Sequence, residues 1–341
     1  MDTVMLVLTM LLLVVVSGFL VRVIPRPLPL PLVQIGLGAL ITTVSDFHVD
    51  LDPHIFFLLF IPPLLFLDGW RVPKTGLFRD KGTILELALG LVIFTVIGLG
   101  FLIHWLIPSM PLGVAFILAA VLSPTDPIAV SAISARVPIP KRVMHILEGE
   151  SLLNDASGLV CLRFATAAVM TGAFSITNAM ATFIWLALGG IGVGVALTIG
   201  VGYIKNWLSS RWGEESGTQI LISLLIPFGA YIIAEHMACS GILAAVAAGI
   251  TMSYVEASGQ AMASTRIRRN VVWDAVQFSA NGVIFVLLGQ QLPDLARGAT
   301  TVITEAGHRE AWWLVVYVIA ILGSLAALRF IWVWLSVRFT M

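Results

Sequence analysis

Charge is what this sequence has least of. Only 11% of its 341 residues are Asp, Glu, Lys or Arg, against about a quarter in a soluble domain, while 59% are hydrophobic. Polar stretches long enough to make a soluble domain are missing as well. Neither sign of charge is in excess, with 19 basic and 19 acidic residues, so nothing points to nucleic acid or to an anionic ligand. Cysteine is nearly absent. Cys161 and Cys239 lie in apolar segments with no metal-ligand spacing around them, which fits small buried residues and implies nothing about redox. No pattern calls for a cofactor. The first apolar stretch, Val4 to Val21, lacks a basic flank before it and a small-residue cleavage site after it, so it is expected to stay in the protein as a spanning helix.

What the sequence does have is apolar runs of membrane-crossing length, repeated from end to end. A hydrocarbon core takes roughly 20 apolar residues per helix, and about eleven candidate spans follow: 4–21, 28–44, 54–70, 84–107, 112–135, 141–171, 179–204, 218–238, 241–255, 275–291 and 311–337. The chain reads as an all-α polytopic membrane protein, one transmembrane domain over 1–341. Basic residues fall in alternate connections: Arg22 and Arg26; Arg71, Lys74, Arg79 and Lys81; Arg136, Lys141 and Arg142; Lys205 and Arg211; Arg266, Arg268 and Arg269; and Arg338. The other loops hold Arg297 and Arg309, with Asp46, Asp50 and Asp52. The positive-inside rule then puts the N-terminus outside and the C-terminus in the cytoplasm. Gly189, Gly190, Gly192 and Gly194 predict close helix packing in the seventh span.

An ionisable group at membrane depth costs at least about 2.5 kcal/mol on insertion scales, so each one is a functional candidate. The first set is Ser123-Pro124-Thr125-Asp126-Pro127. Its two prolines each remove an amide donor and disfavour helix in the residue before, so the helix must break. A break in lipid is tolerated only where protein or a water-filled cavity satisfies the freed backbone, and a carboxylate and a threonine at the same point make an ion site more than a kink. The second set is Glu148, Glu150, Ser151, Asn154 and Asp155. Residues four apart share a helix face, so Glu150 and Asn154 lie on one face and Ser151 and Asp155 on the next, about 100° round the helix. Asp155 with Ser151 offers hard oxygen ligands to a dehydrated cation. Glu150 with Asn154 can hold a partner, and the obvious one is Arg329 in the last span, where an unpaired guanidinium would be costly. Glu148 reads as a solvated edge residue, Asp68 as an entrance or helix-end residue, Glu235 and His236 as solvent-facing, and Arg163 as lining a polar path or pairing with a carboxylate.

At these residues the chain resembles the monovalent cation/proton antiporter family, which includes the bacterial NhaP-type proteins and the animal Na⁺/H⁺ exchangers. The likeness rests on Phe57 to Asp68 with its double proline, Ser123 to Val130, Glu148 to Asp155, Gly241-Ile242-Leu243-Ala244, Ile284 to Gly289, and Arg329. It implies an inverted-repeat fold with a broken-helix crossover and about thirteen helices. The first repeat would cover roughly 1–175 and a partial second repeat roughly 215–341. It also implies a homodimer in a bacterial inner membrane, serving pH homeostasis. Asp155 would bind the ion and the proton, with Asn154 beside it. Thr125 and Asp126 would sit at the break, Ser151 would help coordinate, and Glu150 with Arg329 would form a structural ion pair. Where animal exchangers carry a glutamate before the Ile-Phe-x-Phe-Leu-Gly stretch, this chain has Asn281. About eleven of the thirteen helices are expected, because the family's last two have no counterpart after Arg338.

The implied activity is exchange of Na⁺, Li⁺ or K⁺ for H⁺ through competition at Asp155, one charge for one, and no enzyme chemistry. Three alternatives stand beside it. Proton-coupled uptake of an organic anion would want basic residues at the break. An intramembrane aspartyl enzyme could use Asp126 and Asp155, although no Gly-x-Gly-Asp segment presents either. A truncated, inactive antiporter would insert without transporting.

Overall fold

The computed structural model describes residues 2–23, 28–45, 53–125, 139–171, 176–213, 215–257, 263–305 and 312–340. Among them every regular element is helical: α1 Asp2–Val23, α2 Leu30–Ser45, α3 Pro53–Arg71, α4 Lys74–Arg79, α5 Lys81–Leu85, a π-helical turn Glu86–Leu91, α6 Val92–Leu106, α7 Leu112–Leu122, α8 Lys141–Thr171, α9 Ile176–Trp212, α10 Ser216–His236, α11 Gly241–Ala257, α12 Ala263–Glu305 and α13 Trp312–Thr340. Among the described residues, seven helical stretches are long and apolar enough to cross a membrane, and shorter apolar helices accompany them. The molecule is an all-α polytopic membrane protein.

Each expected span overlaps helix among the described residues, the one over 84–107 running through α5, the π-helical turn and α6. The span expected to begin near 275 starts at Ala263. Arg266, Arg268 and Arg269 made that stretch look like a loop to hydropathy, yet arginine is a good helix former, and Arg269 is fully buried. The span expected over 112–135 is helical only to Leu122, because the chain leaves the helix at Ser123. The rest of that expectation, 126–135, lies outside the described residues.

The chain divides into two compact units. The first comprises residues 1–71 and 190–301. Its core joins Phe66, Leu67 and Trp70 of α3, Ile226, Ala230 and Ala234 of α10, Ala244, Ala248 and Met252 of α11, and Trp273 of α12, with Cys239 among them. Lipid tails are as apolar as leucine, so helices in a membrane hold together by close packing at small residues. Gly190 and Gly194 of α9 do this: a Cβ at either would strike a carbonyl oxygen of the Ser240–Ala244 turn of α11. Gly192 faces open space. One buried charge pair is set in this unit. Arg269 pairs with Glu256 and stacks over Trp70 at 5.1 Å, while the Trp70 indole N–H donates to Glu256 Oε2 at 3.0 Å.

The second unit comprises residues 72–189 and 302–341. Val92, Val96, Leu99 and Ile103 of α6 pack on Ala115, Ala119 and Ala120 of α7, with Cys161 of α8 and Leu325 and Leu328 of α13 against them. The candidate site is built entirely within this unit. At one end Asp80, whose side chain is 3% exposed, accepts from Arg142 Nη2 at 2.7 Å and from Arg79 Nη2 at 3.2 Å. The hydrogen bonds from Arg142 hold its carboxyl below the usual range; burial opposes them, and Arg79 adds to the lowering. Both arginines serve here as partners of a buried carboxylate, a role that their reading as loop charges did not include.

Candidate functional site

The break in the chain comes directly from Pro124, which has no amide hydrogen to continue the ladder of α7. Ser123 closes the helix by donating from Oγ to the Ala120 carbonyl at 3.1 Å. Thr125 follows in non-helical backbone, so its own carbonyl and hydroxyl need partners from elsewhere. They find them on α8 and α13. Asn154 Nδ2 donates to the Thr125 carbonyl at 3.3 Å and to Thr125 Oγ1 at 3.2 Å. Arg329 Nη1 donates to the same hydroxyl at 2.8 Å, and that hydroxyl donates to Glu150 Oε1 at 3.4 Å. One proton given and two lone pairs filled is the whole capacity of a threonine hydroxyl.

Arg329 Nη2 donates to Glu150 Oε1 at 2.6 Å and to Oε2 at 2.7 Å. Glu150 is 2% exposed and the arginine side chain 30% exposed. Burying such a pair gains little net stability, but removing one partner strands a charge in a medium of low dielectric. The local reason for the geometry is the helical period: four residues place Glu150 and Asn154 one above the other on α8, and both point at Thr125. The Asn154 amide oxygen is buried and has no partner among the described residues. The site therefore combines a break stapled by an amide and a guanidinium, a carboxylate already matched by its counter-ion, and hard oxygen acceptors nearby.

The structure brings Thr125, Glu150, Asn154 and Arg329 into one network. Ser151 and Asp155 lie on α8 within the same turns, each half-buried, and Asp126 lies outside the described residues. Arg163 is exposed on α8, and Asp68 is exposed on α3. Glu148 is half-buried. Glu235 departs from its solvent-facing reading: half-buried, it accepts from the Gly241 amide at 3.2 Å and caps the start of α11, which meets one of the donors a helix N-terminus leaves open. His236 is exposed. Two groups with no signal in hydropathy also belong to this region: Ser157 of α8, which donates to the Ala88 carbonyl in the π turn at 2.5 Å, and Gly158, which packs under Pro124.

A family model described as sodium/hydrogen exchanger, transmembrane, matches residues 5–340. The chain is 44% identical over 336 residues to the protein named Uncharacterized Na(+)/H(+) exchanger YjcE of Escherichia coli, covering 98% of this chain and 61% of that protein. It is 44% identical over 337 residues to the sodium, potassium, lithium and rubidium/H(+) antiporter of Bacillus pumilus, covering 98% of this chain and 50% of that one. The chain thus spans half to three fifths of the length of these curated relatives. Among solved structures, the sodium proton antiporter MjNhaP1 of Methanocaldococcus jannaschii superposes with a TM-score of 0.68 at 20% identity, over 90% of this chain and 77% of that one, which shows a shared fold. A break at Pro124 with Thr125 fastened to α8 and α13, in an all-helical membrane chain matched from residue 5 to residue 340, has one consistent assignment: this chain belongs to the sodium/hydrogen exchanger transmembrane family.

Proposed function

We propose that this chain exchanges a monovalent cation, Na⁺, Li⁺ or K⁺, for protons across a bacterial inner membrane, by competition of cation and proton at Asp155. The observation that carries this reading is the division of labour on α8. Glu150 is committed to Arg329 by two charge-assisted hydrogen bonds, so its charge is matched and it holds structure. Asp155 stands on the adjacent face, half-buried, next to Asn154 and one turn from Ser151, and is the carboxylate assigned here to exchange its occupant. Relatives named as sodium, potassium, lithium and rubidium/H(+) antiporters, at 44% and 42% identity, support the choice of ions.

A proton and a dehydrated cation cannot share one carboxylate, so a loaded site that alternates between faces exchanges one for the other. One charge replaces one charge, and the cycle is electroneutral. Thr125 stands at the break with Asp126 next in sequence, Ser151 and Asn154 supply neutral oxygens, and broken helices of this kind use the partial charges of their ends. Burial raises a carboxylate pKa while hydrogen bonds and cations lower it, so a working exchanger needs the two balanced near cytoplasmic pH. The chain acts as a transporter and not as an enzyme, with its N-terminus outside, its C-terminus in the cytoplasm, and a second copy as partner. Roughly residues 1–175 make up a first repeat and roughly 215–341 a partial second one.

The test is proton flux in everted membrane vesicles. A preformed pH gradient should collapse when Na⁺, Li⁺ or K⁺ is added to vesicles containing this chain, and should persist in vesicles containing inserted Asp155→Asn. Equal collapse in both would remove Asp155 from the site.

A further inference from the structure

The helix formed by α5, the π turn and α6 contains no residue of the network around Thr125, yet it touches both helices that build that network. Regular α-helix is interrupted at Glu86–Leu91 by the wider π turn, a form that is rare and concentrates at functional sites. Ala88 lies inside this turn, fully buried, and its carbonyl accepts from Ser157 Oγ at 2.5 Å. A serine hydroxyl has one proton to give. Two carbonyls of its own helix are also in range, Asn154 at 3.0 Å and Leu153 at 3.2 Å, and the shortest approach is the one between helices. On the other flank Gly90 leaves room for the Trp332 indole, whose nearest carbon would be 2.6 Å from a Cβ placed there, and Phe94 packs on the same ring at 5.2 Å between centroids.

Trp332 is three residues from Arg329, and Ser157 is three residues from Asn154. The π turn is therefore held on one side one helical turn from the amide that staples Thr125, and on the other one turn from the guanidinium that does the same. We propose that Ser157 is a positioning residue: its hydrogen bond to Ala88 registers α8 on the π turn and so sets where Asn154 and Asp155 stand relative to Thr125 and Arg329. The assignment rests on the exchange reading above and deepens it. Without the hydroxyl, the Ala88 carbonyl loses this donor from the neighbouring helix, and α8 is free to shift along the turn by the fraction of an ångström that distinguishes good ligand geometry from poor.

The experiment compares Ser157→Ala and Ser157→Thr with the unaltered chain in vesicles, reading the Na⁺ concentration at half-maximal proton flux separately from the maximal flux per inserted protein. Ser157→Ala is expected to raise the half-saturating concentration about fivefold, the equivalent of one neutral hydrogen bond, with maximal flux little changed. Ser157→Thr, which keeps the donor, is expected to restore it. An Ala variant with unchanged half-saturation, or one that lowers only the amount of inserted protein, would overturn the assignment. If the unaltered chain carries no cation-driven flux, the exchange reading has failed, and the positioning claim is then read by deuterium exchange in detergent. Faster exchange of the amides over 86–92 and 150–158 in Ser157→Ala than in Ser157→Thr would uphold it, and identical exchange would reject it.

Discussion

Gly158 sits directly under the ring of Pro124, so close that a Cβ added there would overlap the proline Cγ and stand 3.4 Å from the Ala120 carbonyl oxygen. Proline cannot swing aside as a flexible side chain does, and Thr125 is the next residue along. Gly158→Ala is expected to push Thr125 off Asn154 and Arg329. Overpacking of this kind costs about 1–3 kcal/mol, so thermal unfolding in detergent should move to lower temperature and cation-driven flux should fall further than the stability loss accounts for. Unchanged unfolding would mean that α7 and α8 separate without resistance.

The Glu150 pair is predicted to behave asymmetrically. Removing a fully buried partner costs about 3–5 kcal/mol, and with the Arg329 side chain 30% exposed the lower end applies. Glu150→Ala should therefore cut the yield of folded protein. Replacing both partners, as Glu150→Leu with Arg329→Met, should recover much of that yield, because no charge is left stranded. Transport should not return, since Thr125 would have lost the Arg329 donor. Yield unaffected by Glu150→Ala would show that the pair contributes nothing to folding.

Asp155→Asn should leave insertion and thermal stability intact, because an amide of the same shape replaces a half-buried carboxylate, while flux driven by any monovalent cation disappears. Retained flux would assign the exchange to another carboxylate.

Asp80 carries a pH prediction of definite sign. Its carboxyl is held below the usual range in the folded protein, first by hydrogen bonds from Arg142, so the folded state binds the proton less well than the unfolded chain. The stability it contributes is present above the ordinary aspartate range and is lost as pH falls through that range to the lower folded value. Acid unfolding followed by circular dichroism should thus begin at higher pH in Asp80→Asn, with the difference vanishing at the acid end. Coincident acid transitions would show that Arg142 and Arg79 add nothing.

Much of the fold is legible in the sequence, because lipid imposes a length and a composition on every crossing, and both can be read residue by residue. The errors come where composition and conformation part. Ala263 to Arg269 is too basic to look like part of a span and is nonetheless helix, since Arg269 finds Glu256 and Trp70. In the site, Pro124 is enough to require a break, and four-residue spacing is enough to put Glu150 and Asn154 on one face. Arg329 could be named as a partner only from the cost of leaving it alone. Ser157, Ala88 and Gly158 are different: a serine, an alanine and a glycine in an apolar helix carry no local sign of what faces them. The same is true of Asp80, whose partner Arg142 reads as a topological charge.

By itself the sequence determined the all-helical membrane character and the rough placement of the apolar helices, the break at Pro124 and the helical face shared by Glu150 and Asn154. Each of these follows from local rules: apolar length, the missing proline amide and the 3.6-residue period. Only the tertiary structure decided which donor meets the Thr125 carbonyl, that the Thr125 hydroxyl is saturated by three different residues, and that a π turn lies one helical turn from both Asn154 and Arg329. Those depend on helices far apart in the chain approaching to hydrogen-bond distance. That approach is set by glycines and ring shapes at their contacts, which no single segment encodes.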